Sequence, residues 1–163
     1  MSLRVNPLAM AVIFNQHGIK MAHLKHYLLI KSSPEKVYKT LTSTEGLRGW
    51  WTLEAITDGR VDGIAEFKFD VQYHIKMKII NLVQYKIVVW ECIKGDREWI
   101  GTTFLFDLEE KEGDTILKFT HDNWKEETDF FASCNYHWGY YLRSVKLYCE
   151  TGSGTPFSNR SEA

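Results

Sequence analysis

The sequence predicts an α+β domain. A curved antiparallel sheet of six to seven strands should wrap around a long C-terminal helix, with two short helices after the first strand. Three observations predict it. Apolar and polar residues alternate with period two through the middle of the chain. Near its end, apolar residues recur at spacings of three and four. Between the first apolar run and the second stands the helix start Ser32, Ser33, Pro34, Glu35. A chain of 163 residues is long enough for one such domain and a sizeable core.

Each element has its own warrant. Residues 1–22 read as an N-terminal arm. Its apolar stretch 8–14 is too short to span a membrane and no clear cleavage site follows. Residues 25–31, rich in β-formers, read as the first strand. A Ser cap, Pro at the first helical position and Glu in the first turn then open a helix with Val37, Tyr38 and Leu41 on one stripe. A second short helix is expected over 44–51, capped by Ser43 or Thr44. Trp50 and Trp51 are adjacent, so they cannot share a helical face. One is expected to anchor the helix and the other to reach a pocket mouth.

From residue 53 to 121 the period is two. Ala65, Phe67, Phe69 and Val71 alternate with polar residues, as do Tyr73, Ile75, Met77 and Ile79. Segments 86–92, 98–109 and 115–121 continue the pattern, with turns at Asp58 and Gly59, Asp62 and Gly63, Gly95 and Asp96, and Glu112 to Asp114. The last helix is expected over 128–150, capped by Thr128 or Asp129 and stopped by Gly152. Its apolar face carries Phe131, Cys134, Trp138, Leu142, Val145 and Cys149. Phe157, in an otherwise polar end, is a candidate to dock back on the domain. The domain itself is drawn over 23–157, with 158–163 as a flexible tail.

A half-buried sheet needs a cover, and only the last helix is long enough to supply it. A twisted sheet gripping that helix leaves space at the ends, where aromatic rims would line a pocket.

Composition narrows the function. Charged residues sum to 20 minus 21, or −1, so no basic excess favours a nucleic-acid partner. Three cysteines without CxxC spacing argue against a disulfide framework or a zinc site and for a reducing, cytoplasmic compartment. No phosphate-cradling loop, nucleophile elbow or converging histidine pair is present, so neither a cofactor nor a metal is expected. Aromatic residues at 14%, six of them Trp, suit a thick core or a ring-lined cavity.

Two separated motifs carry a family resemblance. The run YLLIKSSPEKVYKTLTSTEGLRGWW, ending in Trp50 and Trp51, resembles the opening of START-like (SRPBCC) domains of the activator-of-heat-shock-protein-90-ATPase homologue group. The closing Phe119, Thr120, His121, Asp122, Asn123 and Trp124, followed by Trp138, Leu142 and Val145, is similar to that group's C-terminal signature. The resemblance spans residues 24–157 and implies the helix-grip architecture. It implies function only broadly, because the superfamily includes lipid carriers, hormone-binding proteins, aromatase/cyclases and co-chaperones that share a cavity for an apolar molecule.

The candidate ligand-binding residues follow from the pattern. Phe67, Phe69, Met77, Trp90 and Phe104 are candidates for the concave sheet face, beside Trp50 and Trp51. His121 shares a face with Leu117 and Phe119 and is expected to point inward, to orient a ligand or act near neutral pH. Its alternative role is a histidine satisfied by backbone or by Asp122 and Asn123. Trp124 is placed on the loop before the last helix, as a roof; Phe131, Asn135, Trp138 and Tyr141 lie on or beside that helix's inner face.

Three functions follow. The first is a binding protein for a small hydrophobic or aromatic molecule, with no nucleic-acid or membrane partner. The second is a cyclase- or hydrolase-like enzyme in the same cavity, which requires His121 to reach both the cavity and an acidic or hydroxyl partner. The third, by analogy alone, is an interaction protein with a chaperone partner. Eukaryotic activators carry an additional N-terminal domain with no expected counterpart here, which weighs against it. The sequence does not decide between monomer and homodimer.

Overall fold

The structure is a computed structural model, and it describes residues 21–158. All but the last two residues of the expected arm, and residues 159–163 of the expected tail, lie outside the described residues.

Seven antiparallel strands form one sheet in the order β1-β7-β6-β5-β4-β3-β2. The chain runs β1 (Ala22–Ile30), α1 (Pro34–Thr42), α2 (Thr44–Trp50), β2 (Glu54–Thr57), β3 (Ile64–Lys68), β4 (His74–Val83), β5 (Ile87–Lys94), β6 (Thr103–Lys111), β7 (Asp114–Trp124) and α3 (Asp129–Thr151). Six of the seven strands follow one another as neighbours from β2 to β7, and β1 closes the far side by pairing with β7.

Local chemistry sets the helix ends. Ser33 caps α1, its hydroxyl accepting from Lys36 N, with Pro34 at the first turn. Ser43 closes α1 and opens α2, accepting from Gly46 N at 3.0 Å. The cap of α3 is Thr128, accepting from Phe131 N at 3.1 Å, and Gly152 ends it in the left-handed region at φ 83°. Cys134, Trp138, Leu142, Val145 and Cys149 are buried on one face of α3, as their spacing predicts, while Phe131 is half-buried.

The concave sheet face and α3 meet in an aromatic core. Phe67, Met77, Trp90, Phe104, Phe106 and Phe119 are buried on the sheet. Trp51 is the hub, with ring centroids of Phe67 at 4.3 Å, Phe69 at 5.3 Å and Trp138 at 5.6 Å.

The strands depart from the expected pattern at three places. The first is β3, which stops at Lys68. Asp70 accepts from Gln72 N at 2.8 Å and turns the chain, leaving Val71 97% exposed. The second lies between β5 and β6. Residues 98–102 are a compact turn rather than strand: Asp96 accepts Glu98 N on its carboxylate and Trp99 N on its carbonyl, and Gly95 and Gly101 both take positive φ. The third is β7, which runs on through Trp124, so Trp124 belongs to the strand and not to a loop. The turn between β4 and β5 has no glycine signal; Tyr85 takes φ 61° there and packs edge-on against Tyr38 at 5.7 Å.

Candidate functional site

Aromatic and aliphatic side chains pack the interior together. Where the first half of α3 diverges from the sheet, a cleft of about 410 Å³ opens. One wall is the β3–β4 turn and the start of β4, with Phe69, Tyr73 and Ile75. The opposite wall is α3, with Phe130, Ser133, Cys134, His137, Trp138 and Tyr141. Trp99 comes from the β5–β6 turn, Trp51 from the end of α2, and Phe157 from the segment after α3. Among the described residues, no Lys, Arg, Asp or Glu lines it.

Trp51 reaches the cleft because it caps α2 from outside the helix. Freed from helical spacing, its indole lies parallel to that of Trp50, 5.3 Å away and 3° from coplanar. Trp50 is fully buried as the anchor; Trp51, only 2% exposed, forms the cleft floor.

His121 lies beneath the cleft and does not line it. The indole N–H of Trp138 donates to its Nδ1 at 3.0 Å. An indole nitrogen can only donate, so the imidazole proton sits on Nε2, which faces Thr102 Oγ1 at 2.8 Å. Thr102 Oγ1 in turn donates to the carbonyl of Trp99 at 2.6 Å. Burial lowers the His121 pKa to about 3, so the ring is neutral. This corrects the expectation of a ligand-facing histidine, and also the alternative in which Asp122 and Asn123 satisfy it: its partners are Trp138 and Thr102. What it does is tie two walls of the cleft together.

A second tie crosses the same gap. Trp99 Nε1 donates to Cys134 Sγ at 3.2 Å, and the indoles of Trp99 and Trp138 stack at 6.3 Å and 9°. Burial pushes the Cys134 thiol up to about 11, with Asp96 and Glu98 adding to the rise against the Trp99 hydrogen bond, so it is a packed thiol and not a thiolate nucleophile. Thr128 Oγ1 donates to Glu98 at 2.6 Å, holding the turn to the start of α3.

Of the thirteen residues predicted for a ligand site, Trp51, Phe69, Trp138 and Tyr141 meet at the cleft. Trp50, Phe67, Met77, Trp90, Phe104 and His121 are buried in the packing behind it. Trp124 is buried between His121, 4.6 Å away, and Phe131, 5.1 Å away; it roofs nothing. Phe131 braces Trp124 from the half-buried side, and Asn135 is exposed beside His26, off the inner face. The largest omission is Trp99, hidden inside a stretch that reads as strand. The Gly-Asp before it and the Gly after it were the available signal.

The described residues thus define a START-like helix-grip domain with a ring-lined cleft at one end of the grip. Residues 31–150 match the family described as Activator of Hsp90 ATPase homolog 1-like protein, and the chain belongs to that family. Among solved structures, the solution structure of the Aha1 dimer from Colwellia psychrerythraea is 39% identical, with a TM-score of 0.75; the match covers 82% of this chain and 100% of that one. A conserved protein of unknown function from Enterococcus faecalis shares the fold at 21% identity and TM-score 0.68, over 85% of this chain and 77% of that one. CalU16 from Micromonospora echinospora shares it at 13% identity and TM-score 0.69, over 86% and 81%. A search of the curated proteins found no match. No described helix is long and apolar enough to cross a membrane.

Proposed function

We propose that this protein binds a small hydrophobic or aromatic molecule in the cleft between the sheet and α3. One observation carries the reading: beside a closely packed core, about 410 Å³ is left open and lined by aromatic side chains from five separate segments. That volume falls in the usual range for small-molecule sites, about 300–1,000 Å³. Burial of apolar ligand surface, worth about 25 cal/mol per Å², supplies the affinity.

The test is a titration of isotopically labelled protein with fluorene, followed by the indole N–H resonances in NMR spectra. The indoles of Trp51, Trp99 and Trp138 should shift, and Ser133→Trp, which fills the cleft, should abolish the shifts while leaving the rest of the spectrum in place. Native mass spectrometry of protein purified from its own cells should show a co-purified apolar molecule. An unperturbed spectrum together with a bare mass would sink the reading.

The cyclase- or hydrolase-like alternative loses its acid/base candidate, because His121 has its hydroxyl partner but no face on the cleft. The relative from Colwellia is a dimer, which supports a homodimer here; sedimentation should then give twice 19.1 kDa.

A further inference from the structure

The polar atoms of the cleft say what kind of molecule suits it. We propose that the ligand is uncharged and carries a hydrogen-bond acceptor, such as a ring ketone, received by the hydroxyls of Tyr73 and Tyr141. This rests on the reading of the cleft as a binding site, and deepens it.

The first support is a census of donors. Trp138 Nε1 is committed to His121, Trp99 Nε1 to Cys134, and His137 Nδ1 to the carbonyl of Ser133 at 2.8 Å, with the Ser133 hydroxyl 3.4 Å from the same Nδ1. The hydroxyls of Tyr73 and Tyr141 have no hydrogen-bond partner among the described residues, although both rings line the cleft, one on each wall. Burial raises both phenols to about 12, with Asp96 adding to the rise at Tyr73 and Tyr140 at Tyr141. They are therefore protonated donors across the physiological range. Tyr73 stays 36% exposed, so a ligand acceptor at these hydroxyls takes the place of water, and its gain is that of one ordinary hydrogen bond.

The second support is charge. Among the described residues, the lining has no Lys or Arg to pair a carboxylate or phosphate. One negative charge reaches both walls: burial is the main cause of the raised Tyr73 and Cys134, and Asp96 adds to the rise at each, at Cys134 against the Trp99 hydrogen bond. An anion would be desolvated there without a counter-ion and against that field. A fatty-acid anion or an acyl phosphate is therefore the wrong chemistry, although the apolar walls alone would accept its chain.

Three probes of one shape separate the cases: fluorene, its ketone fluorenone, and fluorene carboxylate. Each is titrated into wild type and into the double variant Tyr73→Phe, Tyr141→Phe, which keeps both rings. Fluorenone and fluorene should bind wild type, and the carboxylate should bind more weakly than either. The double variant should lose about three- to tenfold in the ratio of fluorenone to fluorene affinity, the worth of one ordinary hydrogen bond. An unchanged ratio, or a carboxylate bound as tightly as fluorene, overturns the inference while leaving the cleft a binding site. Failure of all three to bind wild type overturns the binding site itself. The labelled spectrum of the variant reports its folding in the same samples.

Discussion

His121 holds its place through directional bonds on both ring nitrogens: Trp138 N–H to Nδ1, then Nε2–H to Thr102, whose hydroxyl continues to the Trp99 carbonyl. Only a neutral imidazole fits, because a charged ring would turn Nδ1 into a second donor facing an indole N–H. The pH consequence has a definite sign. Burial holds the folded pKa at about 3, against 6.5 ordinarily. Between those values the unfolded chain takes up a proton that the folded chain refuses. Stability is therefore full above pH 6.5 and falls on acidification toward 3, by up to about 1.4 kcal/mol per pH unit. His26, also lowered by burial against a raising contribution from Asn135, acts in the same direction. Urea unfolding between pH 7.5 and 4.5 should show this slope, and His121→Gln should flatten it. Equal slopes in both proteins would contradict the account. Trp138→Phe keeps most of the ring packing but leaves Nδ1 unpaired, and should cost about 1–3 kcal/mol at pH 7.5.

At the scale of elements, two short segments outside regular secondary structure decide the cleft. The turn before β6 delivers Trp99 and is clamped to α3 through Glu98 and Thr128. Thr128 is both cap and clamp, so Thr128→Val removes a capping bond and a charge-assisted one. Its expected cost is about 1–2 kcal/mol by urea unfolding, with shifts concentrated at the Trp99 indole. The second segment follows α3. Ser144 Oγ donates to Trp50 O and accepts from Thr155 N, and Phe157 pairs with the chain through Phe157 N to Trp51 O and Leu53 N to Phe157 O. Gly154 fits because its missing side chain leaves room: a Cβ there would stand 2.3 Å from the carbonyl of Gly49. Gly154→Val should lift the segment away from the domain, seen as faster protease cutting after α3 and as altered indole shifts at Trp51.

These two segments also mark where the sequence stops being legible. The helices could be read because their caps are local: Ser33, Ser43, Thr128 and Gly152 each act within three or four residues. The buried face of α3 could be read because its spacing is its address. Trp99 could not, and Phe157 could be read only as docking back, not against what, since each reaches the cleft through partners far along the chain: Cys134 is 35 residues from Trp99, and Trp51 is more distant still from Phe157. His121 is the intermediate case. Period two placed its side chain inside, but no local pattern announces that an indole 17 residues on will occupy its lone pair.

For the molecule as a whole, the sheet order dictates where protection is greatest. β5, β6 and β7 lie in its interior, whereas β2, four residues long, and β1 are its edges. Amide hydrogen exchange should be slowest in β6 and β7 and fastest among the strands in β2. Slow exchange in β2 would mean that its open edge is covered, as a dimer through that edge would do.

Phe157 gives the molecule a division of labour. The framework matched by the family ends at residue 150, yet one wall of the cleft stands on residue 157. Substitutions at residues 152–158 should therefore reshape the cleft without touching the framework that the family shares.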